Sequence, residues 1–393
     1  MKDKMFLMIP GPTPVPESAL LALAKHPIGH RTPEFSSLLK EVFEDLKYVF
    51  QTKEDVFVFA SSGTGAMEAA IFNLVNPGDK VLSLVIGNFG ERWAKIAASK
   101  GADVEVINAE WGTAIDPEVL KARLAQDVNK EIKIVTLTHN ETSTGVTNDV
   151  KTLNEIIQAH GALSLVDGIT SIGAIPLKMD EWGVDVVVTG SQKGFMIPPG
   201  LAFLACSQKA WKVYEQCKHP SFYFNFGAHK KNAADSTTPY TPAVSLVVAL
   251  AETLKMMRAE GLDDMYLRHE TLAKGLRAAV RALGLKLFVE DDSIASNAIT
   301  AILPPEGISV GDIRKTLKQD FDITVADGQG KLKGNLFRMG HLGFVSHRDM
   351  LGCVGALEMT LAKLGHKFEP GSGTAALIKT FLEMKEQKAC TKS

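Results

Sequence analysis

The sequence predicts an α/β protein with a large three-layer domain, built on a mostly parallel sheet, and a smaller α+β carboxy-terminal domain. Three observations carry this expectation. Short apolar runs alternate with helix-like stretches from about Val56 to Leu204. Some of these runs, such as Val186-Val187-Val188, are apolar at consecutive positions, as strands buried on both faces are. After Pro242 the period turns helical, and beyond Gly261 strand-like and helix-like patterns mix.

Taken in order, the candidate strands are Val56-Phe57-Val58-Phe59, Val81 to Val85, Ile132 to Val135, Leu163 to Val166 and Val186 to Val188. Strand and helix alternating in this way imply right-handed crossovers and parallel pairing. Val244, Leu246, Val247, Leu250, Leu254 and Met257 mark one apolar helical face, which Gly261 interrupts. Further on come a strand at Ala298 to Leu303, a helix from Val310 to Leu317, a strand around Leu336 to Met339 and a helix from His347 to Leu364. The expected organisation is an amino-terminal segment, 1–16, packing near the small domain and the active site, a large domain, 17–260, and a small domain, 261–393. Residues Lys385 to Ser393 read as a frayed polar tail.

Composition narrows the function. The chain has 393 residues, 43 basic against 45 acidic side chains, and no long basic block, so nucleic acid is not an expected partner. No run is long and apolar enough to span a membrane, and the first ten residues are too short in apolar content for a signal peptide. Cys206, Cys217, Cys353 and Cys390 are scattered and form no CxxC pair, which fits a reducing compartment better than a disulfide framework or zinc site. The expected location is the cytoplasm.

The chemistry is concentrated at strand ends. The run Val186 to Val188 leads into Thr189-Gly190-Ser191-Gln192-Lys193-Gly194, and Leu163 to Val166 leads into Asp167-Gly168. Ligands in parallel sheets bind beyond the carboxyl ends of the strands, so an acid and a lysine on nearby tips point to pyridoxal phosphate. That cofactor needs an amine to hold its aldehyde as a Schiff base and a carboxylate to keep its ring nitrogen protonated. Each residue also has a plainer reading: Lys193 as a solvated loop side chain, Asp167 as a turn or helix-capping residue. After the first strand, Ala60-Ser61-Ser62-Gly63-Thr64-Gly65 opens into a helix, where backbone amides and the helix dipole favour an anion. Such a turn also serves as a simple tight connection.

Together these motifs resemble the class V, fold-type I aminotransferases that depend on pyridoxal phosphate, especially the alanine–glyoxylate and serine–glyoxylate or serine–pyruvate branch. The resemblance runs along nearly the whole chain, through Pro10 to Pro16, Ser61 to Gly65, Leu137-Thr138-His139-Asn140-Glu141-Thr142-Ser143-Thr144-Gly145, Val166 to Gly168, Gly190 to Lys193 and Phe337-Arg338-Met339-Gly340. It implies that Lys193 holds the cofactor aldehyde, Asp167 pairs with the ring nitrogen, and Gly63, Thr64 and Gln192 hold the phosphate. Thr142 matches a small hydroxyl residue near the ring, and Phe89 the aromatic residue placed over it. Animal members carry Trp at that aromatic position and His in place of Thr64. Arg338 matches the arginine that receives the substrate carboxylate, a role suited to a guanidinium fork, although a structural salt bridge would also use it.

Tyr240 and Thr241 lie in a stretch, Thr237 to Pro242, that resembles the segment reaching across a dimer interface to the neighbouring phosphate; an ordinary loop is the plainer alternative. The amino-terminal prolines and His30-Arg31-Thr32-Pro33 resemble segments bordering the substrate entrance. The implied reaction is ping-pong transamination from alanine or serine to glyoxylate or pyruvate, in a homodimer. Aspartate, phosphonate and phosphoserine transaminases share the same motifs. Cysteine desulfurase is disfavoured, because Val325 to Asn335 contains no cysteine to attack the substrate. A nonenzymatic subunit of the same fold is the remaining alternative.

Overall fold

A computed structural model describes residues 5–391 of the chain. Its main sheet has seven strands in the order Val56–Ser61, Gly200–Cys206, Val186–Gly190, Leu163–Asp167, Ile132–Thr138, Lys80–Val85 and Asp103–Asn108. Gly200–Cys206 runs antiparallel to both its neighbours and every other pairing is parallel. The expected α/β class and mostly parallel sheet are what the chain forms.

Burial on both faces explains the consecutive apolar residues. Successive strand side chains point to opposite faces. Accordingly, Val56 and Val58 join the core that includes Phe35, Leu39, Leu250 and Leu254, whereas Phe57 and Phe59 join Met67, Ile71 and Trp93 on the other side. Helices Pro33–Phe50 and Val244–Glu260 therefore cover one face, and Gly63–Leu74 and Asn88–Ser99 the other. Pro33–Phe50 starts where Thr32 accepts a hydrogen bond from the Phe35 amide, with proline in its first turn, and turns Phe35, Leu39, Val42, Leu46 and Val49 inward. The exposed edge strand Asp103–Asn108 was not among the apolar runs, since most of its side chains face solvent.

A second core surrounds a four-stranded sheet in the order Phe6–Met8, Ile323–Asp327, Phe337–Gly340 and Ile299–Ile302. Phe6–Met8 pairs in parallel with Ile323 to Val325, so the start of the chain forms an edge of the sheet built by its end. Gly261, at φ 81°, separates helix Val244–Glu260 from Leu262–Ala282. The frayed tail expected from Lys385 onward is corrected as far as the chain is described: helix Ser372–Thr391 continues through it, while residues 392 and 393 lie outside the described residues. The helix docks because Leu377 and Phe381 fall on one face and meet Leu262–Ala282 at Gly275, where an added Cβ would sit 2.7 Å from both side chains. No helix among the described residues is long and apolar enough to cross a membrane.

Candidate active site

The main sheet brings Asp167 and Lys193 to one end. Asp167 is the last residue of its strand, paired between Thr138 and Val188, and Lys193 follows three residues after the neighbouring strand ends at Gly190. Lys193 is not a solvated loop side chain: it is 9% exposed. The amino-terminal segment crosses directly over it. Lys193 Nζ donates to the Pro10 carbonyl at 2.5 Å, Thr13 Oγ1 donates to the Lys193 carbonyl at 3.0 Å, and the Thr13 amide donates to the Gln192 carbonyl at 3.1 Å. Gly11, at φ 137°, is required at this crossing, since an added Cβ would lie 2.6 Å from Lys193 Nζ.

Burial dominates the electrostatics. Desolvation lowers the Lys193 amine to about 8; nearby Asp167 opposes the shift, and the positive charges of Arg338 and Arg92 add to it. Desolvation likewise raises Asp167 from 3.8 to about 7, against a hydrogen bond of 2.8 Å accepted from the Ile169 amide. That bond is the turn-type contact anticipated as the plainer role for Asp167, and it occupies one carboxylate oxygen.

Gly63 begins helix Gly63–Leu74, and no side chain caps this end. Gln192 Oε1 is buried without a hydrogen-bond partner and lies beside Gly190, which itself packs against the Gly63 backbone. Thr64 Oγ1 accepts a hydrogen bond of 2.9 Å from Arg92 Nη1, and the Arg92 guanidinium lies 4.6 Å from the centroid of the Phe89 ring. The next strand-to-helix turn, before Asn88–Ser99, is closed instead. Buried Glu141 accepts from the amides of Phe89 (3.0 Å) and Gly90 (3.1 Å) and from the Ser143 hydroxyl (2.5 Å). One helix start thus holds the protein's own carboxylate and the other does not.

Arg338 is buried on strand Phe337–Gly340 and makes no salt bridge with a carboxylate among the described residues. Its guanidinium donates to the carbonyls of Asp327 (2.9 and 2.7 Å) and Thr142 (2.8 Å) and to Gln329 Oε1 (3.1 Å). Desolvation pulls it down to about 10, while Glu141 and Asp327 hold it up. Thr142 shares a hydroxyl contact of 3.1 Å with Thr170. Lys193, Asp167, Gln192, Gly63, Thr64, Phe89, Thr142 and Arg338 are therefore linked through shared neighbours.

Tyr240 and Thr241 are not brought into this group within one chain. Tyr240 stacks on Tyr223 at 5.0 Å and donates to the Phe222 carbonyl, and Thr241 is exposed. Arg31 donates to the Thr238 carbonyl in the same region. Sequence reasoning missed Arg92, Glu141 and Gln329. Arg92 stands three residues after Phe89, a spacing that puts both on one helix face, and Glu141 lies inside a motif already singled out.

The family description Aminotransferase class-V matches residues 15–338. The chain belongs to the class-V aminotransferase family. This aminotransferase is 42% identical over 380 residues to a serine–glyoxylate aminotransferase of Hyphomicrobium methylovorum, covering 95% of this chain and 94% of that one. It is 51% identical over 383 residues to a protein of Anabaena cylindrica named soluble hydrogenase 42 kDa subunit, covering 97% of this chain and all of that one. Among solved structures, ureidoglycine–glyoxylate aminotransferase from Bacillus subtilis superposes with a TM-score of 0.91 at 29% identity, over 97% of this chain and 99% of that one.

Proposed function

We propose that this aminotransferase binds pyridoxal phosphate on Lys193 and moves the amino group of a small L-amino acid, alanine or serine, to glyoxylate or pyruvate in two half-reactions. The observation that carries this reading is the buried Lys193 amine, at one sheet end with a buried carboxyl, Asp167, and near a guanidinium, Arg338, that has no carboxylate partner among the described residues. The residues suit the cofactor. Gln192 Oε1 is orphaned beside Gly63, the helix start there lacks a side-chain cap, and Arg92 adds positive charge, which together favour a phosphate. Asp167 is a desolvated carboxyl that a protonated ring nitrogen would neutralise.

Bound there, pyridoxal phosphate supplies an aldehyde for the substrate amine and a ring that accepts the electron pair released at Cα. Lys193 Nζ would hold that aldehyde, and as a free amine near 8 it would be suited to carry the proton between the substrate Cα and the cofactor's C4′. Arg338 orients the substrate by its carboxylate, with Thr142 fixing one guanidinium nitrogen. Burial around Lys193 excludes water from the proton transfer.

The assembly we infer is a homodimer in the cytoplasm, in which Tyr240 and Thr241 serve the partner's phosphate. The name of the Anabaena relative raises a second reading, a subunit of a larger assembly without its own turnover. The two separate on one variant. Substituting Lys193→Ala should abolish steady-state transamination with alanine or serine as donor; turnover persisting in that variant would remove Lys193 from its role, and a wild-type protein without any turnover would favour the subunit reading.

A further inference from the structure

A positive charge in contact with the open helix start belongs to a residue that no motif singled out. Arg92 begins the second turn of helix Asn88–Ser99, and its carboxylate neighbour Glu91 is engaged by Lys95 at 3.1 Å instead. Arg92 spends its polar contacts inward: Nη1 donates to Thr64 Oγ1 at 2.9 Å, and the guanidinium plane covers Phe89 at 4.6 Å from the ring centroid. A cation placed against the positive end of helix Gly63–Leu74 is unfavourable by itself and becomes favourable when an anion joins them. Its field also reaches Lys193 and Asp167, opposing the charged amine and favouring the carboxylate.

We propose that Arg92 is a positioning residue of the phosphate pocket, acting through Thr64 and Phe89. This deepens the reading of the Gly63 helix start as a phosphate site and rests on it. By donating to Thr64 Oγ1, Arg92 takes up one of the oxygen's two acceptor sites and leaves the Thr64 hydroxyl proton as a donor for the phosphate. A hydroxyl that accepts from a guanidinium is a stronger donor than one that does not. With its other face Arg92 holds the Phe89 ring in one orientation, an interaction available to a planar guanidinium and weaker for an ammonium. Glu141 accepts from the Phe89 amide, so ring and backbone are both constrained.

The test uses cofactor-free full-length protein, with inorganic phosphate and pyridoxal phosphate as probes in calorimetric titration. Arg92→Met should weaken binding of both by about tenfold, the loss of one charge-assisted hydrogen bond. Thr64→Val should do the same, and the double variant should bind no worse than either single one, because the two residues form one chain of hydrogen bonds. Arg92→Lys should recover part of the phosphate affinity but leave the visible circular dichroism of the bound cofactor altered, since the Phe89 brace is lost. If Arg92→Met does not fold, Arg92→Lys alone decides by the same dichroism signal, which an intact wild-type spectrum would overturn. Wild-type affinity for both probes in Arg92→Met, or additive losses in the double variant, would also overturn the role of Arg92. Failure of the wild-type protein to bind either probe would instead overturn the phosphate-site reading beneath it.

Discussion

At the scale of single residues, Asp167 and Lys193 are ordinary titratable groups made unusual by burial. Asp167 keeps its proton up to about 7 when folded and only to about 3.8 when unfolded. Folding of the cofactor-free protein therefore takes up a proton between those values, and stability falls as pH rises through that window. Asp167→Asn keeps an oxygen for the Ile169 amide and removes the ionisation. In thermal denaturation the variant should match the wild type near pH 4 and exceed it near pH 7.5, by up to about 4 kcal/mol; parallel pH profiles would contradict the burial argument. Arg338→Lys replaces a fork by a point charge and leaves the Asp327, Thr142 and Gln329 oxygens short of donors. The measured kcat/KM for the amino donor should drop about 10²-fold or more, with the fold intact by circular dichroism.

The places of Lys193, Asp167 and Arg338 at or beside sheet strands were legible in the sequence, because each follows or occupies an apolar run. Arg92 and Glu141 were not, because their roles arise only where distant segments meet: Glu141 reaches Phe89 across 52 positions of chain and Arg92 reaches Thr64 across 28. The Pro10 carbonyl over Lys193 closes a gap of 183 positions, beyond any local pattern.

At the scale of elements, the two helix starts beside the site are handled in opposite ways, and the difference is testable. Glu141 is the built-in carboxyl cap of helix Asn88–Ser99, with burial pushing its pKa up and the hydrogen bonds from Ser143, Gly90 and Phe89 opposing that shift. In Glu141→Gln one oxygen can still serve the Phe89 and Gly90 amides, but a side-chain NH2 then faces the Ser143 amide and hydroxyl from which the other oxygen accepts, so the protein should be less stable by about 1–3 kcal/mol in denaturant unfolding; an unchanged midpoint would show that the carboxylate contributes nothing. Gly11 belongs to the amino-terminal segment that connects the small sheet to the lysine. Gly11→Ala places a methyl group 2.6 Å from Lys193 Nζ, too close for the amine to stay where it is. Displacing that amine by about 1 Å should lower kcat about 10²-fold in steady-state assays, whereas full activity would show that the crossing does not set the lysine's position. The five parallel or edge strands marked by apolar runs between Val56 and Val188 were read from sequence; the buried strand Gly200–Cys206 was not singled out, and neither were the exposed strand Asp103–Asn108 and the docked helix Ser372–Thr391, which carry many polar residues and are held by neighbours rather than by their own pattern.

At the scale of the whole molecule, the site is assembled from both sheets. Strand Phe6–Met8 lies in the small sheet and its continuation roofs Lys193, while Arg338 comes from the same small sheet and donates to the carbonyl of Thr142, in the turn that follows the large-sheet strand Ile132–Thr138. Tyr240 and Thr241 stay outside this arrangement, beside exposed Phe222 and Tyr223. If they serve a partner's site, mixing inactive Lys193→Ala subunits with an inactive Tyr240→Ala/Thr241→Ala variant should restore activity, because hybrid dimers contain one intact site. No recovery after subunit exchange would confine both residues to their own chain.

The central claim is that Lys193 holds pyridoxal phosphate and releases it to an amino donor. Its most direct test is the visible absorption spectrum of the purified protein supplied with pyridoxal phosphate, followed by separate additions of L-alanine, L-serine and L-aspartate without an acceptor. The expected result is a yellow protein whose band one small donor converts to the near-ultraviolet amine form, and a Lys193→Ala variant that lacks the starting band. A wild-type protein that stays colourless with the cofactor, or a yellow one that no donor changes, would contradict it.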